Sequence, residues 1–415
     1  MKQNNGQSGA AAKSAVPLSE PTIQKIENYL SKHYSFRYNE VTAKAEWKRV
    51  NGTEPFRPIS DFQINSLVRE LIKTEIQCSA TTVRNVLYSD FSPVFNPFKI
   101  YLQGLPAWDG VSDHISELAG TVQTNNDPLW QHCFKKWFVA MVGSLMSDDV
   151  INHCVVVFSG KQGIGKTTWM LNLVPKPLKD YCFSGTINPG NKDTLIQLSE
   201  CMLINLDELE NLNRTELGAM KEIITKAGIR IRRPYGYSAE TMPRRASFAG
   251  SVNGKEFLSD TTGSRRFLCF DAISINYQHS ISLDSVYAQA LYLLQNGFQY
   301  WFSPSDIELI NKNNEQYRTM SIEEELLLSS FEPCTLDEAE YFYTTTELVN
   351  WFSQKVKMNV TDSSKQKMGK ALRAHGFLRL KRQGRYVYAL VAKDGEIMEY
   401  ERYFSPDTDE IELTG

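Results

Sequence analysis

The chain has 415 residues, 42% hydrophobic and 22% charged, with 45 Lys+Arg against 48 Asp+Glu. At about 150 residues per domain, that length predicts two or three globular domains with apolar residues enough for real cores. A formal net charge of −3 excludes a uniformly basic nucleic-acid coat protein, and no apolar run approaches the roughly 18–20 residues of a membrane span. Residues 1–17 read as a flexible tail, because Met1 to Lys13 is rich in Gln, Asn, Gly, Ala and Ser and lacks the apolar core of a signal peptide. Residues 18–105 are predicted to form a mostly helical domain. Thr22 to Leu30 and Asp61 to Thr74 space apolar residues three and four apart, and a Ser-Ala-Thr-Thr start signal precedes Val83 to Leu87. Turn formers between Asn96 and Gly110 mark a domain junction, and an amphipathic helix is expected from Trp130 to Leu145.

From about His153 to Phe270, apolar strands alternate with helices. Candidate strands are Cys154–Ser159, Cys201–Leu206, Ala246–Val252 and Arg266–Phe270, and the helices between them begin near Lys166, Lys192 and Arg214. The alternation predicts an α/β domain with a largely parallel sheet, spanning 106–302 with its helical lead-in. A helical stretch over Ser285–Trp301 ends it, and residues 303–335 read as a polar, acidic linker. Residues 336–415 form a separate unit. A capped helix from Thr345, a basic helix from Ser363 to His375 and strands Phe377–Lys381 and Tyr386–Val391 follow the order of a winged helix. Thr346 to Leu390 carries ten Lys/Arg against two Asp/Glu, whereas 391–415 carries eight acidic and two basic residues. The seven cysteines form no CxxC pair and mostly sit in apolar strings, so they read as core residues of a reduced, cytoplasmic protein. The six histidines show no ligand spacing, which argues against a metal-site enzyme.

Gly160-Lys161-Gln162-Gly163-Ile164-Gly165-Lys166-Thr167 matches G-x-x-x-x-G-K-[ST] between an apolar strand and a helix start. Glycines let successive backbone N–H groups turn inward around phosphates, and the helix N-terminus adds its partial positive charge. The candidate nucleotide-binding residues are Gly160, Gly163, Gly165, Lys166, Thr167 and Thr168, with ATP and Mg²⁺ as the expected ligands. Lys166 would reach the β and γ phosphates and the Thr167 hydroxyl would ligate Mg²⁺. The strand Cys201–Leu206 ends in Asp207-Glu208. Asp207 suits the Mg²⁺ hydration shell and Glu208 the polarisation of an attacking water, although two acids at a helix N-terminus also complement its dipole. Asn253 ends the next strand on the ligand side of a parallel sheet, either as a contact for water or γ-phosphate or as the start of an Asn-Gly turn. Arg265 and Arg266 precede a buried strand. Arginine can stabilise transition-state charge across a subunit boundary, and an Arg pair is also commonly a surface salt bridge.

Together, Ser247 to Phe270, Pro-Tyr-Gly at 234–236 and Trp108-Asp109-Gly110 resemble the virulence-associated protein E family. These are AAA+-type ATPases related to the superfamily 3 helicases of viruses, phages and mobile elements. The resemblance covers roughly residues 100–300 and implies an AAA+-like α/β P-loop NTPase core, here between a helical N-terminal domain and a winged-helix-like C-terminal domain. It also implies Asn253 as a sensor, Arg265 or Arg266 as a finger reaching a neighbouring subunit, and a hexameric ring. Lys221 to Arg245 carries seven Lys/Arg and two Glu, and in superfamily 3 relatives a hairpin from this region enters the ring's channel. Arg230, Arg232, Arg233 and Tyr235 are the candidate DNA contacts there. Contact of Arg232, Arg233 or Lys226 with ATP in the next subunit, and a solvated edge strand, stand as alternatives. In the C-terminal unit the candidates are Lys370, Arg382 and Arg385, with DNA favoured over protein docking. The leading expectation is an ATP-dependent DNA helicase or translocase, a homo-oligomer on single-stranded or forked DNA, with a separate primase and no membrane partner. A loader or remodeller of proteins on DNA, and a nucleotide-dependent assembly or phage-interference protein, are the alternatives.

Overall fold

A computed structural model describes residues 20–188, 190–207, 209, 214–233, 238–254, 256–258, 264–393 and 412–413. In the N-terminal unit, α1 (Thr22–His33) buries Ile26 and Leu30 and runs into β1 (Tyr34–Asn39), which pairs antiparallel with β2 (Lys44–Arg49). β3 (Arg57–Pro58) follows, then α2 (Asp61–Lys73) and α3 (Ala80–Leu87), capped by the Ser60 and Ser79 side chains, and β4 (Val94–Phe95). The four strands form one sheet in the order β3-β2-β1-β4, an element that the mostly helical expectation for 18–105 did not include. Both main strands alternate polar residues with aromatic or small ones, so no apolar run announces them. What holds them is specific pairing. Arg37 and Glu46 face each other across the ladder at 2.6 Å, and the Arg37 guanidinium lies over the Phe95 ring at 3.5 Å.

The central unit begins with α4 (Pro97–Gln103), α5 (His114–Ala119), β5 (Val122–Thr124) and α6 (Asp127–Met146). Between α4 and α5 the Trp108-Asp109-Gly110 motif closes a tight loop. Asp109 accepts from the Val111 and Ser112 amides, both at 2.9 Å, and Trp108 Nε1 donates to the Ser112 carbonyl at 2.8 Å. Expected to be amphipathic, α6 is instead buried almost all round. Trp130, Phe134, Trp137 and Phe138 join the core that also holds Val156, Phe158 and Phe270 of the sheet and Tyr287 from beyond it.

The remaining elements are β6 (Val155–Ser159), α7 (Lys166–Asn172), β7 (Cys182–Gly185), α8 (Lys192–Glu200), β8 (Leu203–Leu206), α9 (Arg214–Thr225), β9 (Gly228–Ile231), β10 (Glu240–Pro243), β11 (Ser247–Ser251), β12 (Phe267–Ile275), α10 (Leu283–Gln295) and α11 (Pro304–Asn314). The three helices start at the residues expected from sequence. Six strands form one sheet, β5-β12-β6-β11-β8-β7, parallel throughout except for β5 at one edge. β9 and β10 pair separately as an antiparallel two-stranded ribbon.

The expected linker over 303–335 is folded. Asn314 of α11 donates to the carbonyls of Phe267 at 2.8 Å and Ser264 at 3.0 Å, which locks α11 to the start of β12. The next elements, α12 (Ile322–Ser330) and β13 (Phe331–Glu332), share a core with the C-terminal unit through Leu327 and Phe331. That unit continues with β14 (Tyr341–Tyr343), α13 (Thr345–Lys355), α14 (Asp362–Ala374), β15 (Arg379–Arg382) and β16 (Arg385–Ala392). Capping boxes start α13 at Thr344 and α14 at Thr361. Gln383 and Gly384, at φ 47° and 74°, make the two-residue turn that joins β15 to β16. From the acidic tail, β17 (Glu412–Leu413) pairs antiparallel with β15. Among the described residues no helix is long and apolar enough to cross a membrane.

Candidate active site

The parallel sheet brings the carboxyl ends of β6, β11 and β8 to one edge, since Ser251 registers with Phe158 and Gly250 with Leu206. The Gly-rich loop leaves β6 at this edge. Gly160, Gly163 and Gly165 have φ of 131°, 84° and 97°, a conformation that side-chain-bearing residues rarely adopt. A Cβ at Gly165 would also strike the Tyr277 ring. The loop therefore turns its backbone N–H groups as an anion cradle needs, and α7 begins at Lys166 directly after it. Lys166 is buried, and its Nζ crosses the loop to donate to the Gly160 carbonyl at 2.6 Å and the Lys161 carbonyl at 3.0 Å. Thr168 is exposed one residue past Thr167.

The Thr167 hydroxyl sits 3.4 Å from Asp207 Oδ1 and 3.4 Å from Ser251 Oγ. Asn205 Nδ2 donates to Asp207 Oδ1 at 2.7 Å, and Ser184 Oγ donates to Asp207 Oδ2 at 2.9 Å. The sheet thus gathers oxygens of Ser184, Asp207 and Ser251 from three strands beside the Thr167 hydroxyl of α7, an oxygen-rich set of the kind a hard divalent cation and its water shell prefer. Ser184, Asn205 and Ser251 were not anticipated from sequence, because single small polar residues at strand ends carry no motif. Glu208 lies outside the described residues. Asn253 lies two residues past the end of β11, exposed at the same edge.

Arg265 and Arg266 are at the opposite edge. They precede β12, whose first residue registers with Val155 at the amino end of β6, so the five residues of β6, about 16 Å of strand, separate them from their own phosphate loop. Both line a cavity of about 570 Å³ together with His153, Asp149, Tyr300 and Trp301. Arg265 is exposed, and Arg266 Nε is buried with no hydrogen-bond partner among the described residues. Burial first, then Arg244 and Arg266, push the His153 pKa below its ordinary value.

The basic ribbon keeps only part of its expected face. Arg230 and Arg232 are exposed, but Arg233 is engaged inside the chain. Its guanidinium donates to the Val41 carbonyl at 3.1 Å and the Thr42 carbonyl at 3.2 Å, and it pairs with Glu200. Arg233 therefore ties the ribbon to the N-terminal unit rather than presenting a charge to phosphate. Tyr235 and the rest of Pro-Tyr-Gly lie outside the described residues. In the C-terminal unit Lys370 and Arg385 are exposed. Arg382, expected at an exposed hairpin tip, is only 6% exposed and its guanidinium stacks over the Phe342 ring at 4.3 Å. Strand alternation turns it inward, toward β14.

Solved structures of the NrS-1 C-terminal region align with the chain. The apo structure of its residues 305–718 is 13% identical, with a TM-score of 0.45 over 90% of this chain and 99% of that one. Its A-form apo structure is 14% identical, with a TM-score of 0.44 over 90% of this chain and 100% of that one. No curated protein matches the chain. The virulence-associated protein E-like domain matches residues 102–319, which spans the central unit from the end of α4 to just past α11 and more than half of the sequence. The chain belongs to the virulence-associated protein E-like family.

Proposed function

We propose that this protein is an ATP-driven helicase or translocase of superfamily 3 type, working as a ring, with six subunits as the family resemblance implies, in the replication of a phage or other mobile element. The observation that carries the reading is the split of reactive groups between the two edges of one sheet. The candidate phosphate and metal ligands sit at the carboxyl edge, and the arginines that could complete the site sit at the amino edge, out of reach of their own loop. A head-to-tail ring would bring one edge against the other in successive copies.

In this reading the inward amides of the Gly160–Gly165 loop hold the β and γ phosphates. Lys166 exchanges the Gly160 and Lys161 carbonyls for a phosphate oxygen. Thr167, Asp207 and Ser251 would hold Mg²⁺ through its water shell, and the ion would supply neutralisation of the phosphate charge. Ser184 and Asn205 fix the Asp207 rotamer by donating to both of its oxygens. Glu208 is the expected water-polarising base, Asn253 the sensor of the γ-phosphate, and Arg265 or Arg266 the finger from the next copy. Exposed Arg230 and Arg232 on the ribbon are the expected contacts to the translocated strand. Priming is assigned to a separate protein.

The test measures ATP hydrolysis with and without single-stranded DNA, beside unwinding of a forked duplex, with Glu208→Gln as control. DNA-stimulated turnover and unwinding, both lost in the variant, support the motor. Turnover indifferent to DNA, with no unwinding where rings form, sinks it and leaves a loader or remodeller of other proteins.

A further inference from the structure

We propose that the cleft between α14 and the β15–β16 hairpin is a seat for single-stranded nucleic acid, with cations on the phosphates and Tyr386 beneath a base. The cleft measures about 410 Å³. One wall is α14, which contributes Lys365, Lys370 and Arg373, and the other is the hairpin, which contributes Arg379 and Tyr386. No carboxylate lines it among the described residues.

The same helix supplies an internal control. On its other side Lys367 pairs with Glu323 of α12 at 3.4 Å, and His375 meets Glu324 at 2.7 Å. The α14 cation on that side, Lys367, is thus matched by an acid of α12. Of the α14 cations that face the cleft, Lys365, Lys370 and Arg373, only Lys365 has a carboxylate close by among the described residues, exposed Asp362 at 3.2 Å. Converging like charges repel one another, and a polyanion relieves that repulsion while releasing its own counterions.

A nucleic acid, rather than an acidic polypeptide, is favoured by the aromatic. Tyr386 is 47% exposed and lies under the Arg379 guanidinium, 3.8 Å from its ring centroid. An aromatic held this way among cations is the arrangement that stacks bases without regard to sequence. Gly369, inside α14, is also accounted for. A Cβ there would come within 3.3 Å of Thr345 Cγ2 and 3.6 Å of Arg373 Nη1, so glycine permits the close packing that forms the cleft floor. Arg382 takes no part, being buried against Phe342.

This inference rests on the reading above only in taking nucleic acid as the ligand, and needs neither nucleotide nor hydrolysis. The experiment is fluorescence anisotropy of the full chain with labelled single-stranded DNA and RNA oligonucleotides, across a salt series without nucleotide. Lys370→Ala with Arg373→Ala is expected to weaken binding by about tenfold or more, and to reduce the log–log salt slope by about 1.4, two phosphates at roughly 0.7 each. Tyr386→Ala should weaken binding about fivefold or more with the slope little changed, and Tyr386→Phe should retain it. Unaltered melting temperatures establish that the variants are folded, and Lys370→Arg with Arg373→Lys checks that charge suffices. The DNA and RNA arms identify which strand the cleft prefers. Variants that bind like the unaltered chain overturn the proposal. So does tighter binding of polyglutamate than of either oligonucleotide, which assigns the cleft to an acidic protein partner. Cleft-dependent binding in a chain that hydrolyses no ATP upholds the cleft and removes the motor reading, whereas no binding at all removes both.

Discussion

The two edges of the central sheet are built on opposite plans. The carboxyl edge is assembled from small side chains and backbone. Three left-handed glycines, Thr167, Ser184, Ser251 and one lysine surround Asp207, whose two oxygens are already oriented. The amino edge is a concentration of guanidinium groups. Arg244 is 1% exposed and finds the Asn152 carbonyl, at 2.7 and 3.1 Å, and the Phe248 ring at 5.1 Å. Arg245 has Asp148 at 3.3 Å, and Arg265 and Arg266 flank the nearby cavity. One edge gathers small hydroxyls and turned glycines around a carboxylate, whereas at the other Arg244 and Arg266 have no carboxylate partner among the described residues. The contrast teaches that groups a sequence motif lists together can lie at opposite edges of one sheet, and under the proposed function a second copy would bring those edges together.

The largest effect expected is at the carboxyl edge. Lys166→Ala should reduce ATP turnover by about 10³-fold or more, as loss of a positioned cation at a transferring phosphoryl group does, with the melting temperature little changed. A single-turnover assay with labelled ATP checks it, and near-normal turnover would break the assignment of this edge. Arg265→Ala and Arg266→Ala, tested separately, should each show whether that arginine is the finger, with about 10³-fold lost for the one that is. Division across copies makes a sharper prediction. Mixing the Lys166 variant with the dead arginine variant should restore part of the activity, because some junctions pair an intact loop with an intact arginine. No recovery in mixed assemblies would mean that the two edges do not meet between copies.

Arg244 separates scaffold from chemistry at the amino edge. Arg244→Ala should cost about 2–4 kcal/mol in urea unfolding, since it opens a cavity under β11. Arg244→Met, which keeps volume and removes a buried charge with no carboxylate partner, should fall within about 1 kcal/mol of the unaltered chain or stabilise it. If Arg244→Met instead left stability alone and abolished turnover, Arg244 would belong with the reactive arginines.

The phosphate loop was readable because glycine, lysine and threonine at fixed spacing have few other physical reasons to coincide between a strand and a helix. The parallel core was readable because its buried strands are continuous apolar runs, such as Val155 to Phe158. The N-terminal sheet was not, because β1 and β2 are stabilised by the Arg37–Glu46 pair and stacked rings rather than by apolar runs. The supposed linker is rich in polar residues, yet its Asn313 and Asn314 bind backbone carbonyls of β12 and its approach, and its Leu327 and Phe331 enter the C-terminal core. Arg233 and Arg382 show why counting basic residues overstates a binding face. Each belongs to a basic hairpin segment, and each folds back onto a carbonyl, a carboxylate or a ring of its own chain. Charge composition locates a cationic hairpin, but only the packing says which of its arginines are left for a ligand.

The smallest effect expected concerns the helical layer that holds both edges in place. Asp113 caps α5 at the Ser116 amide, 3.3 Å, and also accepts from Ser116 Oγ at 2.8 Å, from Lys135 of α6 at 3.0 Å and from Gln289 of α10 at 2.9 Å. Desolvation raises its pKa, but the Gln289, Lys135 and Ser116 bonds outweigh that and bring it down to about 2 from 3.8. A carboxyl group whose folded pKa is depressed adds stability that is fully present above its unfolded pKa and is lost as pH falls through the folded one. The contribution of Asp113 should therefore be complete above about pH 4 and fade toward pH 2. Because the side chain is 45% exposed, solvent and salt reduce it, and Asp113→Asn should lower the melting temperature near neutral pH by only about 2 °C. That gap should narrow as pH falls from 4 toward 2, and should shrink in high salt. A gap that stayed constant with pH would mean that hydrogen-bonding shape, rather than charge, joins the three helices of this layer.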